Sequence, residues 1–214
     1  MDGTRLADRI AFGGGMAARK AGVICDAYRP RDGACPIVAA NRLVRLGVLV
    51  LPVSGSVRGP APLGLPYRQL VLDQAYVRGG DYVAGPAGTF LVVSNEPPAP
   101  VLGARCNETL SIWRPAAQAV PGINPYGAIL GAGARGVLAG FPAALLPARG
   151  GTHAEAGLPD DTRAPGYIAA VAAVEGLAPD VADVVRDARG RQFVIDQAEL
   201  FGGIWRLALS ASVV

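Results

Sequence analysis

The residues best suited to chemistry are Cys25, Cys35, Cys106 and His153. A zinc site needs four ligands, typically in close pairs, and these three cysteines do not supply that spacing. They read as buried apolar thiols. A Ser–His–acid or Cys–His arrangement would have to use His153, the sole histidine, which sits in the polar stretch Gly150-Gly151-Thr152-His153-Ala154-Glu155. A solvated loop histidine is the better reading. No Gly-x-Ser-x-Gly elbow occurs, since Val53-Ser54-Gly55-Ser56 lacks the first glycine. Gly131-Ala132-Gly133-Ala134-Arg135-Gly136 spells G-x-G-x-x-G, a motif that binds dinucleotides only between a strand and a helix. The following Val137 to Pro142 carries a glycine and a proline that break a helix. Gly13-Gly14-Gly15 lacks the Lys-Ser/Thr of a phosphate-binding loop and reads as a hinge. Asp160-Asp161 have no partner carboxylate at a defined spacing and read as a charged loop. Arg78 and Asp81 read as a pair that fixes turn geometry or forms rim contacts. Trp113 and Trp205 lie in apolar strands and read as core, with a binding role as the alternative. The sequence therefore offers no catalytic, cofactor-binding or metal-binding residues, and the expectation is a protein that is not an enzyme and uses no cofactor.

The elements around these residues are mostly short strands. Gly (29) and Pro (18) punctuate the chain closely after Pro30, which favours strands joined by turns over long helices. Helical signal is confined to the start. Thr4 can cap a short helix with Leu6 and Ile10 on one face, the triglycine interrupts it, and Met16 to Ala21 forms a second turn ending at Gly22. Val23 to Tyr28 reads as a strand and Arg29 to Gly33 as a turn. Leu43 to Val53 is almost continuously apolar, as a doubly buried strand would be, and Tyr67 to Val77 alternates. Ser54 to Pro66 and Arg149 to Pro165 read as loops. The expected fold is mainly β, an antiparallel β-sandwich or barrel-like domain with a short helical N-terminal arm. Residues 1–30 form the arm and 31–214 the β-rich domain, whose two parts, 31–148 and 166–214, are joined by loop 149–165.

One pattern occurs twice. Asp81 to Val93 aligns with Asp183 to Ile195: an Asp, two β-formers, a turn, a Gly seven positions after the Asp, and a Phe-led apolar strand. This is hairpin chemistry, with the Gly supplying a positive φ. A tryptophan strand follows each: Leu110-Ser111-Ile112-Trp113-Arg114 and Gly203-Ile204-Trp205-Arg206-Leu207. Either a duplicated unit or the same hairpin chemistry used twice produces this pattern.

The chain has 214 residues, 51% apolar and only 17% charged, with mean hydropathy +0.32. That is too apolar for a disordered chain. The longest apolar run, Leu46 to Val53, is far too short to cross a membrane as a helix. The N-terminal residues have no apolar core of the kind a secretory signal needs. So little charge leaves part of the surface to be covered by other chains, which points to a permanent assembly. The net charge is +3, and Lys20 is the only lysine among 20 basic residues. The basic residues are spread along the chain with no basic arm, so sequence-specific nucleic-acid binding is not expected.

Gly80-Asp81-Tyr82-Val83, Gly88 to Val92, Pro97 to Leu102 and Arg105 to Pro115, with Asp2 to Ile10, Tyr28-Arg29-Pro30, Ala40-Asn41-Arg42 and the Asp183 to Leu209 unit, together resemble proteins of the structural modules of tailed bacteriophages and prophages from GC-rich bacteria. The second unit is also similar in style to small β-barrel head–tail joining proteins. The resemblance implies a virion protein, made in the bacterial cytoplasm, in the neck, head–tail connector or tail ring. Its implied partners are identical subunits in a ring of six or twelve copies and other neck or tail proteins. A minor tail or baseplate-proximal protein that attaches fibres is the alternative. From another class, a small β-module could bind carbohydrate or peptide through Trp113 or Trp205.

Overall fold

A computed structural model describes residues 3–53, 66–97, 99–116, 133–148 and 166–211. It opens with one helix, α1 (Gly3–Ala21), followed by twelve strands. Strands β1 (Val23–Tyr28), β2 (Arg42–Pro52), β3 (Tyr67–Val71), β4 (Tyr82–Gly85), β5 (Gly88–Ser94) and β6 (Val101–Arg105) form a first antiparallel sheet. It closes on itself in the order β1-β2-β3-β6-β5-β4. Strands β7 (Glu108–Arg114), β8 (Arg135–Pro147), β9 (Gly166–Ala172), β10 (Val184–Asp187), β11 (Gln192–Phe201) and β12 (Ile204–Ala211) form a second closed barrel. Its order, β7-β8-β9-β12-β11-β10, is the first order with six added to every strand. Closure removes the open edges that make isolated sheets stick to one another.

The correspondence extends to irregularities. The second strand of each barrel carries an extra residue opposite the end of the first, Leu43 opposite Ala27–Tyr28 in one and Val137 opposite Ile112–Trp113 in the other, and the β7–β8 pair shifts once more between Leu110 and Ile112. The fifth strand of each is bulged too, between Val92 and Ser94 and between Ile195 and Gln197. Bulges re-aim a strand and are built-in features, not defects. Two barrels with one strand order and the same two bulges are copies of one structural unit. The recurring Asp–Gly–Phe pattern marks the β4–β5 and β10–β11 hairpins of the two copies.

The sequence places a division at residues 149–165. Strand pairing places the change of barrel at Cys106–Asn107, because β6 closes the first sheet and β7 opens the second. Residues 149–165 connect β8 to β9 within the second barrel.

The first barrel encloses Cys25, Ala27, Val48, Leu70, Val83, Phe90, Val92 and Val101. The second encloses Leu110, Ile112, Phe141, Val185, Phe193, Ile195, Leu207 and Leu209. Each fully buried Leu, Ile or Phe contributes about 1.5–3 kcal/mol relative to exposure, so these cores outweigh the surface ion pairs, worth about 0–1 kcal/mol each.

Three local expectations change. Helix α1 runs without a break through the triglycine. Gly14 and Gly15 are packing surfaces and not a hinge: a Cβ on them would lie 3.3 Å from Leu72 O and 3.2 Å from Asp73 Cβ. Small residues let the helix backbone approach the barrel, and Ala18 continues that contact over Gly22 and Gly47. Strand β2 is not doubly buried, since only Gly47 and Val48 are fully covered; one face of a barrel wall meets solvent or the helix. Strand β3 stops at Val71, where Asp73 accepts the amide of Ala75 and starts a short 3₁₀ turn (Gln74–Tyr76).

Candidate functional site

Each barrel carries an arginine–aspartate clasp at the same place. In the first, Arg29 directly follows β1 and Asp81 directly precedes β4. The Arg29 Nε and a terminal nitrogen donate to the two Asp81 oxygens, both at 2.8 Å, and the Arg78 amide donates to Asp81 Oδ2 at 2.9 Å. In the second, Arg114 ends β7 and donates in the same two-pronged way to Asp183 at 2.9 Å, while the Asp180 amide donates to Asp183 Oδ2 at 2.8 Å. Each aspartate also closes a turn, through Asp81 N–H to Arg78 O and Asp183 N–H to Asp180 O. The residue before each aspartate has a positive φ, +87° at Gly80 and +69° at Ala182. A type II turn demands this at its third position, and glycine meets the demand at lower cost than alanine. Both carboxylates are almost fully buried, at 1% and 2% exposure. Each clasp pins the first strand of its barrel to the fourth. The aspartate partners hold the Arg29 and Arg114 guanidinium groups firmly protonated, chiefly through these hydrogen bonds.

The two barrels pack through a seam. Tyr82 and Leu91 are a cross-strand pair on the outside of the first barrel, and they join the core cluster of the second. The Tyr82 hydroxyl donates to Pro142 O at 2.7 Å and accepts the Ala172 amide at 3.2 Å. Burial pushes its ionisation well above the usual phenol range. Beside it the corner Arg78–Asp81 meets the β11–β12 hairpin tip, Gly202–Gly203. Here only glycine fits: a Cβ on Gly79 would lie 2.3 Å from Gly202 O, and one on Gly80 2.4 Å from Gly203 O. A cleft of about 310 Å³ remains between Arg29, Arg78, the four glycines and Ala173.

Two apolar features on the outside are left exposed among the described residues. Helix α1 buries only Gly15 and Ala18, and its first half leaves Leu6, Ile10 and Phe12 exposed, Phe12 at 69%. On the second barrel, Leu200 and Phe201 stand 59% and 71% exposed at the end of β11. Phe201 borders a largely apolar groove of about 360 Å³ between the barrels, with Tyr67, Val93, Leu146 and Ile168 among its walls.

Of the residues weighed for chemistry, Cys25 lies in the first core, where burial raises its thiol above the usual range. Burial likewise pushes Cys106 up to about 12. A thiol held there has almost no thiolate at neutral pH and is a poor nucleophile. Cys35 is half-buried. Trp113 and Trp205 are half-buried strand residues, and Trp205 packs against the second core. Gly136 lies in β8, a strand, where a dinucleotide motif would need a helix. His153, Asp160, Asp161, Gly131 and the loops at 54–65 and 149–165 lie outside the described residues. Among the described residues no group of three or more His, Cys, Asp or Glu is placed to hold a metal ion. Sequence reasoning found the Arg78–Asp81 turn but missed the arginines that complete the clasps, which lie 52 and 69 residues away from their aspartates.

No protein-family model, curated protein or solved structure matches the chain.

Proposed function

We propose that the protein is a structural assembly subunit and, more specifically, a virion component of a tailed bacteriophage in the neck, head–tail connector or tail ring. The observation that carries the assembly reading is the pair of apolar features left exposed among the described residues, the first half of α1 and the end of β11, where Leu200 stands exposed and Phe201 borders the groove. Monomers rarely leave such surface open without a partner. A helical stretch as short as residues 3–13 is marginal on its own in water, and a neighbouring subunit would stabilise it. Two closed barrels fused along a packed seam supply a stiff body for such contacts. The finer virion reading rests on the resemblance of the Gly80–Pro115 and Asp183–Leu209 stretches to phage structural-module proteins. Mass photometry of the purified chain tests the assembly reading: a closed oligomer supports it, and a monomer at all concentrations refutes it. Peptide mass spectrometry of purified particles tests the virion reading, which fails if the protein is absent from them.

A further inference from the structure

The two clasp corners share a backbone but not a charge. In the second, the Asp180 carboxylate accepts the amide of Val181 at 2.8 Å. That turn amide therefore already donates to a carboxylate, one built into the chain. In the first corner Arg78 stands where Asp180 does, and Gly79 where Val181 does. Among the described residues no acceptor takes the Gly79 amide, nor those of Gly202 and Gly203. The Arg78 guanidinium has no ion pair among the described residues either. Arg78 and these glycines line the 310 Å³ cleft at the seam.

The other charges at the cleft cancel. Asp81 borders it, but its carboxylate is 1% exposed and both oxygens are taken by Arg29 and the Arg78 amide. Arg29 spends its charge on Asp81, which leaves Arg78 as the net charge among the residues lining the cleft. A guanidinium beside free backbone amides is the chemistry that holds an oxyanion, through short charge-assisted bonds of about 2.7–2.9 Å.

We propose that this cleft binds a carboxylate, with Arg78 and the Gly79 amide donating to it in the place the second repeat fills with Asp180. The carboxylate comes either from a small free acid or from an acidic side chain of a partner protein. The inference does not depend on the assembly reading, since it rests on the internal comparison of the two corners.

The test is an amide NMR titration of the full chain with acetate and with a tetraglutamate peptide, at a fixed ionic strength of about 0.15 M. The Gly79 resonance is expected to move saturably while Val181, already occupied, stays still. Arg78→Asp copies the second repeat: it should shift the Gly79 resonance without ligand and abolish the response. Arg78→Gln keeps the amide but loses the charge and should weaken binding roughly tenfold. Tighter binding of the peptide per carboxylate assigns the site to a partner segment, and equal binding to a free acid. A Gly79 resonance that stays still up to about 100 mM acetate, a millimolar-range limit, overturns the proposal. So does an equal response in Arg78→Asp, provided its core resonances match those of the parent.

Discussion

Replacing Gly79 by valine gives the first corner the residue the second corner already has at the equivalent place, Val181. Val181 is 56% exposed. At Gly79 the added Cβ would lie 2.3 Å from Gly202 O, whereas real Cβ contacts essentially never fall under 3.0 Å. The hairpin must therefore retreat by at least the difference, 3.0 less 2.3, or 0.7 Å. Overpacking of this kind costs about 1–3 kcal/mol. The retreat also stretches the seam bonds of Tyr82, now 2.7 and 3.2 Å long, and each intact bond is worth about 1 kcal/mol. The expected destabilisation of Gly79→Val is about 3 kcal/mol, read from urea unfolding followed by tryptophan fluorescence, with the slope compared to confirm like transitions. Val181→Gly, the reverse exchange on the open corner, should cost no more than about 1 kcal/mol, mainly through backbone entropy. If Gly79→Val falls within about 0.5 kcal/mol of the parent, a small surface effect, the glycine-only seam is refuted.

Two further outcomes follow from the clasps and the buried groups. Arg29→Ala and Arg114→Ala each strand a buried carboxylate, at a cost of about 3 kcal/mol, reduced somewhat because both arginines are partly exposed; equivalent clasps require the two costs to agree within about 1 kcal/mol, and unfolding curves that differ more deny the equivalence. Tyr82 and Cys106 both have ionisations raised by burial, Cys106 to about 12. Each favours the folded state fully below its unfolded value, about 10 for tyrosine and 8.5 for cysteine. That stability is lost as pH rises toward the folded values. Thermal melts should therefore drop steeply between about pH 9 and 12, and Cys106→Ala should flatten the early part of that fall; an unchanged profile contradicts the burial of the thiol.

Local chemistry made the strands and hairpins legible. Val23–Tyr28 is a strand because β-formers run between a glycine and an arginine–proline turn, and the Asp–Gly–Phe pattern marked both hairpins because turn residues act over a few positions. A mainly β, sandwich or barrel-like fold was legible, but its division into two closed barrels was not, since closure depends on pairings such as β1 with β4, far apart in sequence. The boundary was misplaced because the link Arg105-Cys106-Asn107-Glu108 carries no glycine or proline, while the Gly- and Pro-rich stretch at 149–165 falls in sequence between β8 and β9, two strands of one barrel. The triglycine looked like a hinge because glycine lowers helix propensity by about 1 kcal/mol per residue. Tertiary contact with Leu72 and Asp73 overrides that cost. The clasp aspartates were visible as turn residues, but the arginines that complete them gave no local signal.

The assembly reading meets its most direct test in mass photometry of the purified chain across a dilution series, alongside a Leu6→Asp/Ile10→Asp variant. Both substitutions lie on the exposed half of α1, away from Gly15 and Ala18 that hold it to the barrel. The account predicts a closed oligomer for the parent and its loss in the variant with the thermal melt of the barrels retained. A parent that stays monomeric at every concentration, or a variant that assembles as the parent does, contradicts it.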